Sequence, residues 1–401
     1  MTQKVVSLVS MLLICGSVAA EPVKHPSKST AALPLPAPKE TKSAPKEPPA
    51  NELFGSATSP APLASRAIGS YARGCLACWL KGASAEDQSL LQQCWTPQAL
   101  AGTDQEVKSS RPYFHLDIPA LKQEALAPAT PVPQELRGSI RGVELPPGEK
   151  LIALTFDLCE TDGDVAGYDG RIVDLLRAQG VKATFFAGGK WMETHKERAE
   201  QLIADPNFEV GSHGLRHFDL SHVNGQTLDD EIRLTEAAYA KTRKSLLTKQ
   251  CAASVRQQSL VPERMSLMRF PYGRCDARSL AAAADAGLLA IQWDLVTGDP
   301  DPHRSARAIA DTILTKVHPG AIIVAHANGR GWHTAQALAL AIPKLKDEGF
   351  SFLTVSELLK AGKPVITTSC YLNKPGDNTR IAHAAGRDGA PDALSIFEYP
   401  Y

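Results

Sequence analysis

The sequence predicts an α/β domain built on a mostly parallel sheet or barrel, and three observations support this fold class. First, six short apolar runs rich in β-branched or aromatic residues alternate with segments of helical length over residues 151–355. Second, the runs are apolar on both faces, which is typical of strands covered by helices on each side. Third, several runs end on an Asp or a His, and such folds gather functional side chains at the carboxyl ends of their strands.

The elements follow one another as alternating strands and helices. The predicted strands are LIALTF (151–156), KATFFAG (182–188), FEVGSH (208–213), LLAIQWD (288–294), AIIVAH (321–326) and FSFLTV (350–355). The predicted helices are 170–179, 190–204, 227–247, 276–286, 304–316 and 334–348. In the third helix, Leu228, Ile232 and Tyr239 recur at helical spacing. This alternation favours a parallel sheet whose connections are helices.

The N-terminal residues are typical of an exported protein. Lys4, an apolar run over 5–18 and the small residues of 18–20 predict a signal peptide at residues 1–20. The run is shorter than the roughly 20 residues that span a bilayer, so we expect a secreted or periplasmic protein without a stable membrane span. An uncleaved anchor is the alternative. The remaining segments, by composition, are a disordered Pro/Lys/Ala-rich tether at 21–62, an accessory region with a linker at 63–135, the α/β domain at 136–365 and a tail at 366–401.

Seven cysteines follow the predicted signal peptide: Cys75, Cys78, Cys94, Cys159, Cys251, Cys275 and Cys370. In an oxidising compartment most of them pair, and the odd number leaves at least one thiol free or bonded to another chain. The Cys75-Leu-Ala-Cys78 spacing is also found in redox and zinc sites, but no βαβ pattern surrounds it here. We therefore interpret these two cysteines as members of structural disulfides near Cys94. The spacing does not fix the pairing.

Two histidines supply the first metal-binding signal. His213 and His217 are four residues apart, which places two imidazoles on one face of a helical turn, close enough to share a metal ion. Such a pair often only satisfies local hydrogen bonds. A catalytic metal also needs a further ligand and an open position for water, and the acidic segment after Asp157 is the obvious source of that ligand.

Five short motifs occur in a fixed order along the chain. They are Thr155-Phe156-Asp157, His213-x-x-x-His217, Arg269-Phe-Pro271-Tyr272, Trp293 through Asp299-Pro300, and Ile323-Val-Ala-His326. Together with KATFF, HFDLS and FLTVSELL, they resemble the NodB-homology polysaccharide deacetylases (carbohydrate esterase family 4) over about residues 140–362. The resemblance implies a distorted barrel of about seven parallel strands, a bound divalent metal (Zn²⁺, with Co²⁺ or Ni²⁺ as alternatives) and hydrolysis of an acetyl group from a sugar.

The resemblance also implies a role for each motif residue. Asp157 acts as the general base and Arg269 holds it ionised. A backbone N–H near Tyr272 stabilises the oxyanion. His326 protonates the leaving group, supported by an Asp of the fourth motif, for which we favour Asp299 over the nearby Asp294.

Each of these residues also has a structural interpretation. Arg269 suits a salt bridge at a strand end, Tyr272 suits packing in a turn beside Pro271, and Asp299 suits a turn before Pro300. For any one of these residues, the structural interpretation is as good as the catalytic one. They explain poorly why all the residues occur in this order.

The first motif departs from the family pattern. The family has a second carboxylate directly after the base, as a metal ligand, and here that position is Leu158. The following residues offer Cys159, Glu160 and Asp162, of which we favour Glu160 as the third metal ligand; a Cys159 thiolate would favour zinc.

The predicted function is metal-dependent removal of acetyl groups from a polysaccharide, most simply N-deacetylation of an amino sugar in a cell-wall or envelope glycan. The alternatives are a catalytically weakened glycan-binding protein and a metal amidase acting on a non-sugar substrate. The 43 basic and 43 acidic residues cancel, so no charge excess favours nucleic acid or an anionic membrane as a partner. The identity of the glycan and the oligomeric state stay open.

Overall fold

A computed structural model describes residues 89–108, 114–252 and 259–377 of the chain. The predicted signal peptide and tether lie outside the described residues, as do Cys75, Cys78 and the tail beyond residue 377. Within the three described ranges, no helix combines the length and the apolar character that crossing a bilayer requires.

The described residues contain ten strands: β1 Ser139–Glu144, β2 Leu151–Leu158, β3 Ala183–Ala187, β4 Phe208–Ser212, β5 Leu267–Met268, β6 Leu289–Ile291, β7 Leu295–Val296, β8 Ile322–His326, β9 Ser351–Leu353 and β10 Lys363–Thr367. The helices are α1 Leu90–Cys94, α2 Pro97–Leu100, α3 Asp104–Val107, α4 Ile118–Lys122, α5 Gly170–Gln179, α6 Gly189–Thr194, α7 Lys196–Ala204, α8 Gly225–Leu247, α9 Ala277–Asp285, α10 Ala306–Lys316, α11 Thr334–Asp347 and α12 Val355–Ala361. Short 3₁₀ turns cover Gln134–Leu136, Gln250–Ala252 and Pro271–Gly273.

The strands form one sheet in the order β10-β1-β6-β5-β4-β3-β2-β8-β7, with β9 added beside β2. Each strand pair is parallel except β1 with β10. A single antiparallel bridge between Gly142 and Ala321 joins β1 to the residue just before β8, and the Val143 N–H donates to the Gly320 carbonyl at 2.9 Å. The closed circuit therefore runs through seven strands, β1 to β6 and β8, and the predicted distorted barrel is confirmed.

Glycine allows this closure. Gly320 has φ of +82°, and a Cβ placed on it would lie 1.7 Å from the carbonyl oxygen of Val143. A side chain at this position would push β1 away from β8, because the backbones approach too closely to admit even a methyl group.

All six predicted strands are confirmed, and five of the predicted helices match to within about two residues. The helix predicted at 190–204 is instead α6 followed by α7, with His195 (φ −119°, ψ 45°) between them. Four strands were missed. β5 and β7 have two residues each, too few to show periodicity, and β1 contains Arg141 and Gly142. The last, β10, is an edge strand with a proline.

Side chains alternate between the two faces of each strand. Along β2, Ala153 belongs to the cluster that also holds Phe186, whereas Leu154 and Phe156 belong to the larger cluster under the helices. Phe156 stacks on Phe185 with ring centroids 5.2 Å apart. Asp157 continues the Ala153 face, so its carboxylate points away from the helix layer.

The described part of the predicted accessory region packs on the same core. Leu91, Trp95 and Leu121 belong to the larger hydrophobic cluster of the barrel. A disulfide joins Cys94 to Cys251, across a sequence separation of 157 residues. Cys94 therefore bonds to the residues after α8 rather than to the Cys75-Leu-Ala-Cys78 segment.

Candidate active site

The predicted site residues meet at the carboxyl ends of the barrel strands. Asp157 on β2 is in register with His326 on β8. His213 directly follows β4, and Arg269 directly follows β5, whose Met268 pairs with the last residue of β4. Parallel strands that end together thus bring residues from four separate segments to one edge of the barrel.

Asp157 is held by a buried arginine. The Arg269 Nη1 donates to Oδ1 of Asp157 at 2.8 Å, and its Nη2 donates to the Gln292 carbonyl at 3.1 Å. Arg269 is fully buried. Burial alone would raise the pKa of Asp157, but the positive charge of Arg269 outweighs it and holds that pKa below its usual range. Asp157 is therefore ionised at neutral pH.

His213 has a fixed tautomer. Its Nδ1 lies 2.9 Å from the Arg269 carbonyl, an acceptor, so Nδ1 carries the proton and donates it. Its Nε2 then has a free lone pair, 3.7 Å from Oδ2 of Asp157. Burial lowers the pKa of His213 below its usual range, which favours the neutral imidazole that metals bind.

His217 reaches the same place from a loop. The prediction that the histidine spacing forms one face of a helical turn is wrong: residues 213–217 are not helical, and His217 has a left-handed backbone with φ of +59°. The imidazole centroids of His213 and His217 are 5.0 Å apart. Within the described ranges, Nδ1 of His217 is buried and has no hydrogen-bond partner. Burial holds the pKa of His217 well below its usual range, so the ring is neutral.

A buried glutamate, missed by sequence reasoning, shapes this loop. Glu231 of α8 accepts the backbone N–H groups of Leu215 and Arg216 at 3.0 and 2.9 Å. It also forms an ion pair with the Arg216 guanidinium at 2.9 Å. Three bonds to one carboxylate hold the backbone between the two histidines in its non-helical shape.

The thiol of Cys159 lies close to the imidazoles of the two histidines. Its Sγ and one ring nitrogen from each of His213 and His217 all lie within 4.8 Å of one another, and all three residues are buried. Glu160, the predicted third ligand, does not join this group. Its carboxylate accepts the Thr194 hydroxyl at 2.8 Å and lies 3.5 Å from Nζ of Lys190.

The alternation of side chains along β2 continues into the two residues after its end at Leu158. Asp157 faces the cavity, Leu158 faces the helix layer with no exposed surface, and Cys159 returns to the side of Asp157. Glu160 falls on the other side again. The period of the strand thus places the thiol beside the base and carries the carboxylate away.

Cys159 is the one cysteine of the described ranges that forms no disulfide. Asn328, from the loop after β8, donates its Nδ2 to the Cys159 carbonyl at 2.8 Å and to Sγ at 3.0 Å. Burial raises the pKa of the Cys159 thiol to about 11. A bound cation reverses that preference, because a coordinating thiol is deprotonated outright.

A buried lysine fixes the loop that follows Cys159. Lys190 is 1% exposed, and its ammonium donates to the carbonyls of Thr161, Asp162 and Asp164 at 2.7, 3.0 and 2.6 Å. The loop therefore folds around the ammonium group of Lys190, which fixes the backbone directly after Cys159. Asp162, an alternative ligand in the sequence analysis, contributes its backbone carbonyl to this cage.

His326 pairs with Asp299, as predicted. Its Nδ1 lies 3.0 Å from Oδ1 of Asp299, and its backbone N–H donates to Oδ2 at 2.7 Å. Burial alone would lower the pKa of His326, but Asp299 outweighs it and raises that pKa above its usual value. Asp294, the alternative partner, instead accepts the Ile322 N–H at 2.9 Å and pairs with His318 at 3.2 Å.

Tyr272 closes the site from the third motif. It has φ of +59° and ψ of 11°, a left-handed conformation that is uncommon for an aromatic residue. Its ring meets the His217 imidazole edge-on, with centroids 4.4 Å apart.

A cavity of about 120 Å³ lies between these side chains, and Trp293 and Val324 add apolar surface to it. The site residues that line it are Asp157, Cys159, His213, His217, Tyr272, Asp299 and His326. A buried carboxylate paired with an arginine therefore lies beside an imidazole whose pKa an aspartate raises, and this combination is typical of the active site of a hydrolase.

Comparisons with known proteins narrow the class to a family. A family model described as polysaccharide deacetylase matches residues 144–291. A chitooligosaccharide deacetylase from Sinorhizobium fredii is 31% identical over 220 residues, which cover 51% of this chain and 89% of that protein. A peptidoglycan-N-acetylglucosamine deacetylase from Bacillus cereus is 28% identical over 219 residues, covering 54% and 92%. The solved structure of a carbohydrate esterase family 4 pseudoenzyme from Bacillus anthracis has a TM-score of 0.45 at 24% identity, covering 56% and 69%.

The chain belongs to the polysaccharide deacetylase family. The predicted resemblance to NodB-homology deacetylases is thereby confirmed, as is the predicted class of hydrolases acting on carbon–nitrogen bonds other than peptide bonds.

Proposed function

We propose that this protein is a metal-dependent deacetylase that removes N-acetyl groups from an amino sugar of a cell-wall or envelope glycan. The names of its relatives, which include chitooligosaccharide and peptidoglycan-N-acetylglucosamine deacetylases, support this substrate class. The observation that carries the proposal is the group of Cys159, His213 and His217 beside the ionised carboxylate of Asp157.

The donor set fits a divalent metal of the zinc type. His213 offers a lone pair at Nε2, His217 has a buried Nδ1 without a partner among the described residues, and Cys159 offers sulfur. Thiolate with imidazole suits zinc better than the harder Mg²⁺ or Ca²⁺. A metal held there supplies a Lewis acid for the acetyl carbonyl and lowers the pKa of its water.

The protein's own groups then move the protons. Asp157 accepts one from the attacking water at Oδ2, the oxygen that does not bind Arg269, while the water oxygen bonds to the carbonyl carbon. A backbone N–H near Tyr272 donates to the carbonyl oxygen as it becomes negative. His326 gives its proton to the sugar nitrogen as the C–N bond breaks, which releases acetate and a free amine.

The Asp299 carboxylate sets the pH at which His326 keeps that proton. Because Asp299 raises the pKa of His326, the protonated form persists above the usual pH range of imidazole. Asp299→Asn removes the charge with little change in size, so we expect the alkaline limb of the pH profile of kcat/KM to move to lower pH. Asp294→Asn is the matched control, because Asp294 pairs with His318 instead. A profile that shifts in the Asp294 variant but not in the Asp299 variant would reverse the assignment.

Acetate release tests the function directly. The mature protein with one equivalent of zinc is incubated with an N-acetylated chito-oligomer, peptidoglycan, an O-acetylated glycan and a non-sugar acetamide. We expect acetate from the N-acetylated glycans and little from the acetamide. Glycan binding without acetate from any substrate would instead favour a weakened binding protein, and preference for the acetamide would favour a non-sugar amidase.

The proposed location is outside the cytoplasm, where such a glycan is accessible. Two disulfides, Cys94–Cys251 and Cys275–Cys370, support an oxidising compartment.

A further inference from the structure

A short segment after β10 lies against the cavity, and we call residues 370–377 the strap. The strap contributes Leu372, Asn373 and Asp377 to the cavity lining. None of the five motifs includes it, and the proposed mechanism gives it no role. It lies beyond the predicted end of the catalytic domain at residue 365.

A disulfide and two hydrogen bonds from one arginine fasten the strap to the barrel. The Cys275–Cys370 disulfide ties its first residue to the segment just after the Tyr272 turn. Arg141 of β1, which is 4% exposed, donates to the carbonyls of Tyr371 and Leu372 at 2.7 and 2.8 Å. The strap is thus held by the buried guanidinium of Arg141 and, at its first residue, by the disulfide bond.

The strap is also folded on itself. The Asp377 carboxylate accepts the backbone N–H groups of Leu372, Asn373 and Lys374 at 2.8, 2.7 and 2.9 Å. A single carboxylate therefore closes the segment into a compact loop. The position of Leu372 is fixed from both sides, by Asp377 and by Arg141.

Leu372 completes an apolar wall. The indole Nε1 of Trp293 donates to the Leu372 carbonyl at 3.1 Å. Both side chains lie on Gly273: a Cβ placed there would be 3.0 Å from Cη2 of Trp293 and 3.2 Å from Cδ2 of Leu372. Gly273, with φ of +61°, follows Tyr272, so this wall stands next to the position proposed for the carbonyl oxygen.

We propose that Leu372, presented by the strap, limits the size of the acyl group that the enzyme removes. This inference rests on the proposed deacetylase function. The cavity has to hold both the attacking water and the acyl group, and Leu372 lines it together with Asp157 and His326. An acetyl methyl fits against a wall that a longer chain would have to displace. Discrimination by one methylene in such a pocket is typically about 10- to 200-fold.

The test uses two readouts on the zinc-loaded full chain. The first is the ratio of kcat/KM for N-butyryl over N-acetyl chito-oligomers. The second is the ratio of affinities for butyrohydroxamate over acetohydroxamate, measured by calorimetry, which requires no turnover. We expect Leu372→Ala to raise both ratios by about tenfold or more, because truncation opens the wall. Leu340→Ala is the matched control, since Leu340 is 41% exposed on α11, and we expect its ratios to equal those of the unmodified protein.

A second variant, Cys275→Ser with Cys370→Ser, frees the end of the strap and should raise the ratios in the same direction. Unchanged ratios in both variants, with acetate release intact, would overturn the inference. If no substrate yields acid but the hydroxamate ratio rises as stated, Leu372 limits the acyl group that the site binds, and the proposed hydrolysis fails.

Discussion

Asp157→Asn should reduce acetate release by about 100- to 10,000-fold, the usual contribution of a general base. The amide keeps the size of the side chain, but it cannot take a proton from water. The metal content should stay close to that of the unmodified protein, because Asp157 is not one of the three residues whose donor atoms cluster within 4.8 Å. Acetate assay and metal analysis on the same preparation separate a lost base from a lost metal.

The same substitution has a cost in stability that needs its own measurement. Arg269 is fully buried and pairs with Asp157 at 2.8 Å, so the amide leaves a buried cation without its countercharge. Removing one partner of such a pair typically costs about 3–5 kcal/mol. Circular dichroism at the assay temperature shows whether the variant is folded. Asp311→Asn, a change of the same kind at an exposed ion pair on α10, should leave activity and metal content unchanged. Acetate release that survives in folded Asp157→Asn would contradict the assigned mechanism.

Cys159→Ser should cost the protein most of its zinc affinity. The substitution replaces a thiolate by a hydroxyl of similar size, and zinc in proteins is bound chiefly by thiolate, imidazole and carboxylate. Losing an outer-shell partner already costs roughly 10- to 100-fold in metal affinity, and we expect loss of a direct ligand to cost more. Competition with a chelator gives the affinity. Cobalt substitution gives a second signal, since a thiolate-to-cobalt charge-transfer band in the near ultraviolet should be present in the unmodified protein and absent from the variant.

Glu160→Gln is the control for this prediction, because Glu160 is the neighbouring acidic residue and was the ligand expected from sequence. Its carboxylate accepts the Thr194 hydroxyl and the Ala166 N–H, and an amide oxygen can still accept both. We expect zinc affinity within a few-fold of the unmodified protein and an unchanged cobalt spectrum. Weak zinc binding in Glu160→Gln together with strong binding in Cys159→Ser would show that the carboxylate, not the thiol, completes the site.

The barrel was predictable because its long strands carry a local signal. β2, β3 and β8 are buried almost throughout and read as continuous apolar runs. The short β5 and β7 carry no such signal, since their existence depends on pairing with neighbours that are distant in sequence. β1 also lacks an apolar signal in the sequence, because it contains Arg141, whose guanidinium donates to the strap some 230 residues later.

The candidate site divides in a similar way. Strand ends and motif order indicated Asp157, His213 and His326, and the pairing of His326 with Asp299 follows the prediction. The position of Cys159 was available by extending the alternation of β2 one residue past its end, because residues two apart lie on one side of a strand. A preference for a second carboxylate led to Glu160 instead.

Other features required the three-dimensional structure. Glu231 shapes the histidine loop from α8, and Lys190 gathers the loop after Cys159 from α6; neither residue stands near those loops in sequence. The Cys94–Cys251 and Cys275–Cys370 bonds span 157 and 95 residues. Cysteine spacing alone leaves many pairings open.

Zinc dependence of acetate release is the property on which the proposed site depends, and a zinc titration measures it. The purified protein is stripped with a chelator, zinc is added in steps, and acetate from an N-acetylated chito-oligomer is measured at each step. We expect no release from the stripped protein and a linear rise that ends at one zinc per chain. Acetate release that persists in the metal-free protein, or that is absent at every zinc loading while zinc is bound, would contradict this expectation.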